Sequence, residues 1–364
     1  MNLSFFGSRT ITIYMARTFL VRSLAVLAAL VLVLMALDLL GESGDILAHP
    51  GNGDAQLWTY VSLRTPQIVA RFLPFAVLLG TLITLATLNQ NSEIIAMKAA
   101  SVSAHQILAP LIIASIGVAA ISFAFNDRIV TRASATLAAW QAADYGPIPA
   151  DRGVVVNVWV RDGDDLVHAD AVTGRGSATV LRGVTVYDRT GGLLKSIVTA
   201  VAAHQQGRGW VLDRASRFDV ASGLVRPAPG YRIAQGVTPD RFTLADVQPD
   251  QRSFLDLRAA IAELHAAGRP TGPLESGLWH KISGPLSAIL MPLLAGVAAF
   301  GLARSGRLFL RAVIGMALGF TYFVADNFAL AMGNLGAYPP WLAAWAPFLL
   351  FLLIGEAVLV RTEE

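Results

Sequence analysis

Six blocks, each long enough to cross a bilayer as a helix, divide this chain: 18–40, 65–88, 106–126, 281–303, 309–332 and 341–360. A hydrocarbon core of about 30 Å takes roughly 20 apolar residues in helix. Lipid offers the backbone no water, so a helix is the economical form for blocks of this length. Prolines at 74, 110, 285, 292 and 347 fall inside them, and membrane helices tolerate proline. The blocks crowd the two ends of the chain and leave a polar middle. The reading is therefore a membrane half at 1–126, a soluble insert at 127–280 and a second membrane half at 281–364. Arg17 and Arg22 before the run 23–40 mimic a signal peptide. However, the run 23–40 exceeds the roughly 7–15 residues of an h-region, and no A-x-A-like site follows it. It is expected to remain as a helix.

Basic residues in the short loops orient the spans. Arg9, Arg17 and Arg22, then Lys98, then Arg304, Arg307 and Arg311 stand where odd-numbered spans begin, and Arg361 stands near the end. The other side carries Glu42, Asp45 and Asp54 and the neutral turn 333–340. Both termini are expected to be cytoplasmic and 127–280 extracytoplasmic. Trp58, Trp279, Trp341 and Trp345 fall near the outer ends, where an interfacial aromatic belt belongs.

Composition excludes several classes. Only 15% of the 364 residues are charged, against about 25% in soluble domains. The net charge of +3 comes without a basic run interleaved with aromatics, so no nucleic-acid partner is expected. The absence of cysteine removes disulfides and thiolate metal sites. His49, His105, His168, His204, His265 and His280 are scattered, and no H-E-x-x-H, G-x-S-x-G or paired-acid motif occurs beside the spans, so neither a metal site nor a catalytic site is expected. No G-x-x-x-x-G-K-[ST] occurs either, so the chain itself has no ATP site of that kind.

From 153 to 235 the pattern changes to short β-rich runs. VVVNVWV at 154–160 is bounded by Gly153 and Asp162-Gly163-Asp164. The run 179–188 stops at Arg189-Thr190-Gly191-Gly192, and further runs cover 193–202, 209–212, 216–220 and 231–234. Strands at this spacing indicate an all-β sandwich or jelly roll, with a small open sheet as the alternative. Residues 254–267 have helical periodicity and stop at Gly268-Arg269-Pro270.

Between the second and third spans, 91–103 is too polar to cross the membrane and too regular for a loop. Ser92 can cap a helix with Glu93 in its first turn, and Ile94, Met97 and Ala100-Ser101 share an apolar, small-residue face. Spacing alone leaves two options open: a helix that plugs into a partner, or one lying on the membrane surface.

The run LATLNQNSEIIAMKAASVSAHQI resembles the coupling segment of the lipopolysaccharide-export permeases, the LptF/LptG family. ESGLWHKISGPLSAILMPLLAGVAAFGLARSGR resembles that family's fourth helix and basic turn, and NLGAYPPWLAAWAPFLLF its fifth-to-sixth helix junction. The first helix and NSEIIAMKAASVS look more like the LptG member than the LptF member. In the insert only the topology corresponds. The resemblance implies an ABC-transporter permease paired with an LptF-like companion on a dimeric LptB-like ATPase, which holds the ATP and Mg. It implies an LptC-like periplasmic partner, lipopolysaccharide as cargo, and a jelly roll that takes up the acyl chains. It makes Glu93, with Ser92, Ile94 and Met97 around it, the ATPase-coupling site, where an acid meets Arg through a charge-assisted hydrogen bond. It places a lateral gate on the first and fifth helices of partnered subunits, which directs attention to Asp326 and Asn327, a polar pair read either as a gate hydrogen bond or, preferably, as a packing bond.

Phosphorylated cargo calls for cations at the outer rim. Arg64 and Arg71 share a face one heptad apart, and Arg71 lies about two turns inside its span, where an unpaired cation is costly. Arg128 and Arg132 follow the third span, and His280 and Lys281 open the fourth. For each, snorkelling to ordinary headgroups is the alternative. Two other readings stay open: a mechanotransmission ABC subunit, which needs a coupling helix but no lipid-sized cavity, and a membrane scaffold, for which Glu93 is dispensable.

Overall fold

The computed structural model describes residues 9–147, 155–174, 178–190, 192–207, 209–233, 237–243, 247–266, 269–301 and 308–363. Gly153, Val154, Gly191, Ala234, Gln235, Ala267, Gly268, Arg304 and Arg307, used in reading the sequence, lie outside them. The chain opens with α1 (Arg9–Ala48) and α2 (Asp54–Gln90), then a short α3 (Glu93–Ala99). Helix α4 (Ala104–Phe125) runs through a π turn (Asn126–Val130) into α5 (Thr131–Ala142). After the β domain come α6 (Asp240–Thr243), α7 (Phe254–Ala266), α8 (Gly272–Gly296), α9 (Leu308–Asn334) and α10 (Pro340–Glu363). Among the described residues six helices are long and apolar enough to span a membrane, and the β domain is inserted between the third and fourth.

The helices outrun the apolar blocks. Hydropathy marks the stretch that faces lipid, whereas backbone hydrogen bonding continues wherever tertiary packing supports it. Helix α1 extends past 40 to Ala48, α2 begins at Asp54, and the third span continues through α5 to Ala142. These extensions pack on one another. Met35, Ile46, Tyr60, Ile68, Leu137, Trp140 and Tyr145 form a separate apolar cluster, a collar on the β-domain side of the spans. Trp140 Nε1 donates to the Gly146 carbonyl at 2.8 Å, and Asn52 Nδ2 donates to the Ile46 and Tyr145 carbonyls, each at 2.8 Å. The Tyr145 hydroxyl donates to Glu42. Burial and that neighbouring carboxylate push the phenol up to about 12.

Within the bundle α8 is central, packing against α2, α4, α9 and α10. Helix α1 leans on α2, and Gly80 makes their close approach possible. A Cβ there would meet the Ser23 Cα at 2.7 Å and its backbone nitrogen at 2.8 Å. Near the opposite end from the collar, Arg22 Nη1 donates to the Ile83 carbonyl at 3.0 Å. Trp58, Trp279 and Trp341 are exposed, as an interfacial role requires.

The β domain is antiparallel throughout: β1 (Val155–Asp162), β2 (Asp165–Thr173), β3 (Val180–Thr190), β4 (Leu193–Gln206), β5 (Gly209–Asp213), β6 (Ser216–Asp219), β7 (Leu224–Pro227) and β8 (Arg232–Ile233). The long β4 forks the sheet, pairing with β5 along its second half and with β6 along its first. Strands β2 and β7 are additions to the runs read from sequence. The buried side chains reverse parity in the middle of three adjacent strands. Val167 and Ala169 give way to Val172, Val186 and Val184 to Leu181, and Val198 and Ala200 to Ala203, although the pairing register is unbroken there. A strand that buries one face and then the other has crossed between the layers of a sandwich. Gly183 (φ +58°) sits at the crossing against the Asp170 side chain. One hydrogen-bonded sheet thus wraps a single core, in which Trp210 is buried edge-on to Phe242 and donates to the Val237 carbonyl at 3.0 Å. Helix α7 leads back to the bundle. Its first N–H donates to Asp127 Oδ1, and the Phe254 ring meets Phe123 at 6.4 Å.

Candidate functional site: a side cavity and a surface helix

A cavity of about 1090 Å³ opens between α1, α2, the α4–α5 turn, α8 and α9. Phe72, Phe75, Met291 and Phe323 contribute its apolar walls, and Phe75 meets Phe323 edge-on at 5.1 Å across α2 and α9. Into this apolar space project Arg64, Arg71, His280 and Lys281, together with Asp326 and Asn327. Four of the six cations chosen from sequence therefore share one cavity. Arg128 and Arg132 are exposed and are not among its lining residues.

The four cations differ in what already holds them. Arg64 is committed: Nε and Nη2 donate to the two Asp38 oxygens at 3.0 and 2.9 Å, and Nη1 donates to Gln67 Oε1 at 2.7 Å. Tyr60 donates to the same Asp38 at 2.6 Å. Arg71 is exposed and makes no hydrogen bond or ion pair with any described residue. His280 Nε2 lies 3.9 Å from Asp326 Oδ2, and its Nδ1 is 3.4 Å from the Ser283 hydroxyl. Lys281 is half-buried in the field of Asp250 and Asp127. Asn327 donates to the Phe323 carbonyl of its own helix at 2.8 Å, a bond within α9 rather than across a gate.

Asp38, Tyr60 and Gln67 had no place in the sequence reading. Asp38 was detectable, since an acid inside an apolar block is costly and calls for a partner. Its partner lies 26 residues away on another helix, which spacing does not reveal.

The surface helix α3 departs from expectation at its start. Ser92 adopts a left-handed conformation (φ 57°), not the extended one usual for a capping residue, and makes no side-chain cap. Its carbonyl instead accepts the Ala96 N–H at 2.9 Å. Glu93 opens the helix and accepts from Tyr14 at 3.4 Å and from Asn91 at 3.3 Å. Ile94 and Met97, expected to face a partner, turn inward instead. Ile94 is 6% exposed, and Met97 packs on the same bundle core. The outward apolar residue is Ile95, 61% exposed. Lys98 Nζ sits 5.1 Å from the Phe300 ring centre, joining α3 to the end of the fourth span. Among the described residues, no group of three His, Asp or Glu is placed to hold a metal ion.

The sequence that folds this way has counterparts. The family model described as "Lipopolysaccharide export system permease LptF/LptG" matches residues 13–361. The lipopolysaccharide export system permease protein LptG of Escherichia coli (strain K12) is 26% identical over 313 residues, covering 83% of this chain and 84% of that protein. The protein of the same name from Haemophilus influenzae (strain ATCC 51907 / DSM 11121 / KW20 / Rd) is 24% identical over 329 residues, 86% of this chain and 89% of its own length. With a family model spanning nearly the whole chain, and a multi-pass bundle carrying an antiparallel β domain to match, the protein belongs to the LptF/LptG family of lipopolysaccharide export system permeases.

Proposed function

We propose that this chain is the permease subunit of an ABC transporter that extracts lipopolysaccharide from the outer leaflet of the inner membrane and hands it to a periplasmic bridge toward the outer membrane. The observation that carries this reading is the side cavity, whose apolar walls suit acyl chains and whose Arg71, without a partner among the described residues, suits a phosphate. Both termini are cytoplasmic and the β domain is periplasmic, in keeping with the basic residues on the terminal side. Helices α1 and α9, with Leu32, Leu40, Phe320 and Phe328 exposed, face lipid and an LptF-like companion, with which they form the lateral gate. Energy comes from a dimeric LptB-like ATPase, where ATP and Mg reside, through Glu93 at the start of α3. An LptC-like protein receives the lipid from the β domain.

The test is to isolate the protein from solubilised inner membrane and identify what accompanies it by mass spectrometry. A second permease, a small ATPase and lipopolysaccharide are the expected companions. An ATPase without lipopolysaccharide would replace export by mechanotransmission. The absence of both would remove the transport reading altogether.

A further inference from the structure

The cavity is charge-balanced before any cargo enters it. Of its lining groups Arg64, Arg71 and Lys281 are formally cationic, and Asp38, Asp250 and Asp326 formally anionic. An incoming phosphate therefore gains little from the wall as a whole. It gains by meeting Arg71, which has no partner among the described residues, and then by taking a cation from the carboxylate that holds it. Arg64 is the cation placed for that exchange. It stands one heptad from Arg71 on the same face of α2, about 10 Å along the axis. Its side chain and that of Asp38 are 35% and 23% exposed, and both line the cavity.

The geometry allows the exchange in both directions. Asp38 presents two oxygens to the guanidinium fork, and a phosphate presents the same pattern with greater charge. When Asp38 lets go it is not stranded, because the buried Tyr60 hydroxyl still donates to it from behind. Gln67 keeps Arg64 aimed through the third donor. The arrangement resembles an ion exchanger with its counter-ion tethered to the neighbouring helix.

We propose that Asp38 is an internal competitor for Arg64, which weakens the hold on a lipid phosphate and so permits its release. This rests on the export reading above and adds to it a residue whose role is to limit affinity. A carboxylate that only braced α1 against α2 would, on removal, loosen the site and weaken binding. A competitor, on removal, tightens it.

The experiment compares the intact complex with its Asp38→Asn variant in nanodiscs, using purified lipopolysaccharide and the same lipid enzymatically dephosphorylated. Asparagine keeps the size and the Tyr60 contact and removes the charge. A partly exposed pair is worth about five-fold in an equilibrium constant. The expected result is binding of the phosphorylated lipid about five-fold tighter, unchanged binding of the dephosphorylated one, and slower lipid release on adding ATP. Unchanged or weaker binding of the phosphorylated lipid, or equal tightening for both lipids, overturns the proposal while leaving export intact. Failure of the unaltered complex to bind either lipid sinks the export reading and this one with it. If Asp38→Asn does not assemble, Tyr60→Phe tests the point with the opposite sign. Asp38, deprived of its other donor, grips Arg64 harder and the phosphorylated lipid binds more weakly. Unchanged binding in an assembled Tyr60→Phe complex also overturns the proposal.

Discussion

Replacing Gly80 by alanine should separate α1 from α2 and lower the stability of the bundle. The added Cβ would lie 2.7 Å from the Ser23 Cα and 2.8 Å from its backbone nitrogen, both backbone atoms that no rotamer change can move. Carbon atoms rest at about 3.5–4.0 Å, so α1 must retreat by roughly 1 Å along its main contact. Overpacking of a well-filled core costs about 1–3 kcal/mol. Part is offset by alanine's advantage over glycine within a helix, about 0.5–1 kcal/mol. The net expectation is a loss of about 1–2 kcal/mol. Gly117 on α4 provides the control, because a Cβ there meets nothing within 4 Å. Gly117→Ala keeps the helix advantage and incurs no clash, so it should be neutral or slightly stabilising. Thermal unfolding of the two variants in one detergent, followed by intrinsic tryptophan fluorescence, separates the cases. Equal melting of Gly80→Ala and Gly117→Ala would refute the claim that backbone proximity at Ser23 sets the α1–α2 spacing.

Glu93→Ala should leave melting within about 1 kcal/mol of the parent, since its two hydrogen bonds are long and at the surface, yet reduce co-purification of the ATPase; undiminished co-purification would exclude a coupling role. Arg71→Glu should slow lipid extraction from proteoliposomes by about ten-fold with assembly intact, while Arg128→Glu, outside the cavity lining, should leave extraction near normal; equal effects would disqualify the cavity as the lipid site. Gly183→Ala must hold a left-handed backbone against Asp170, at a cost of about 1–2 kcal/mol, visible as earlier protease cleavage within the β domain. Tyr145 has its ionisation raised in the folded state to about 12, so its contribution is complete below the unfolded value of about 10 and fades as pH climbs through about 12. An alkaline absorbance titration of Tyr145→Phe should lack that late-ionising phenol, and loss of an ordinary one near 10 would contradict the burial argument.

The membrane spans were legible because lipid enforces a one-dimensional rule: enough consecutive apolar residues make a helix. Their true lengths were not, because the collar is stabilised by Trp140, Tyr60 and Ile46 meeting in three dimensions. Strand β2 escaped notice because Asp165, His168 and Asp170 interrupt its alternation, and its burial changes face partway. Strand β7 was hidden by its brevity and by Pro227 at its end. At the cavity, residue type and spacing put Arg64 and Arg71 on one face of a helix, but only the fold shows that Arg64 is engaged by Asp38 while Arg71 has no partner among the described residues. At α3, apolar spacing alone could not say which way the face turned. Ile94 and Met97 look inward because the adjoining bundle offers more apolar surface than solvent does.

The collar has a further consequence, one of height. From Asn126 to Ala142 the third span runs on for seventeen residues, about 25 Å at helical rise, before the chain turns toward the β domain. The cavity wall climbs with it, since Val130, Thr131 and Ser134 still line the opening. On the export reading proposed above, a headgroup rising out of the bilayer would be escorted along a protein surface for the first part of its ascent. Its bulky sugars would gain a standing space beside the stalk, and the β domain would meet the lipid only after its polar end had cleared the membrane plane.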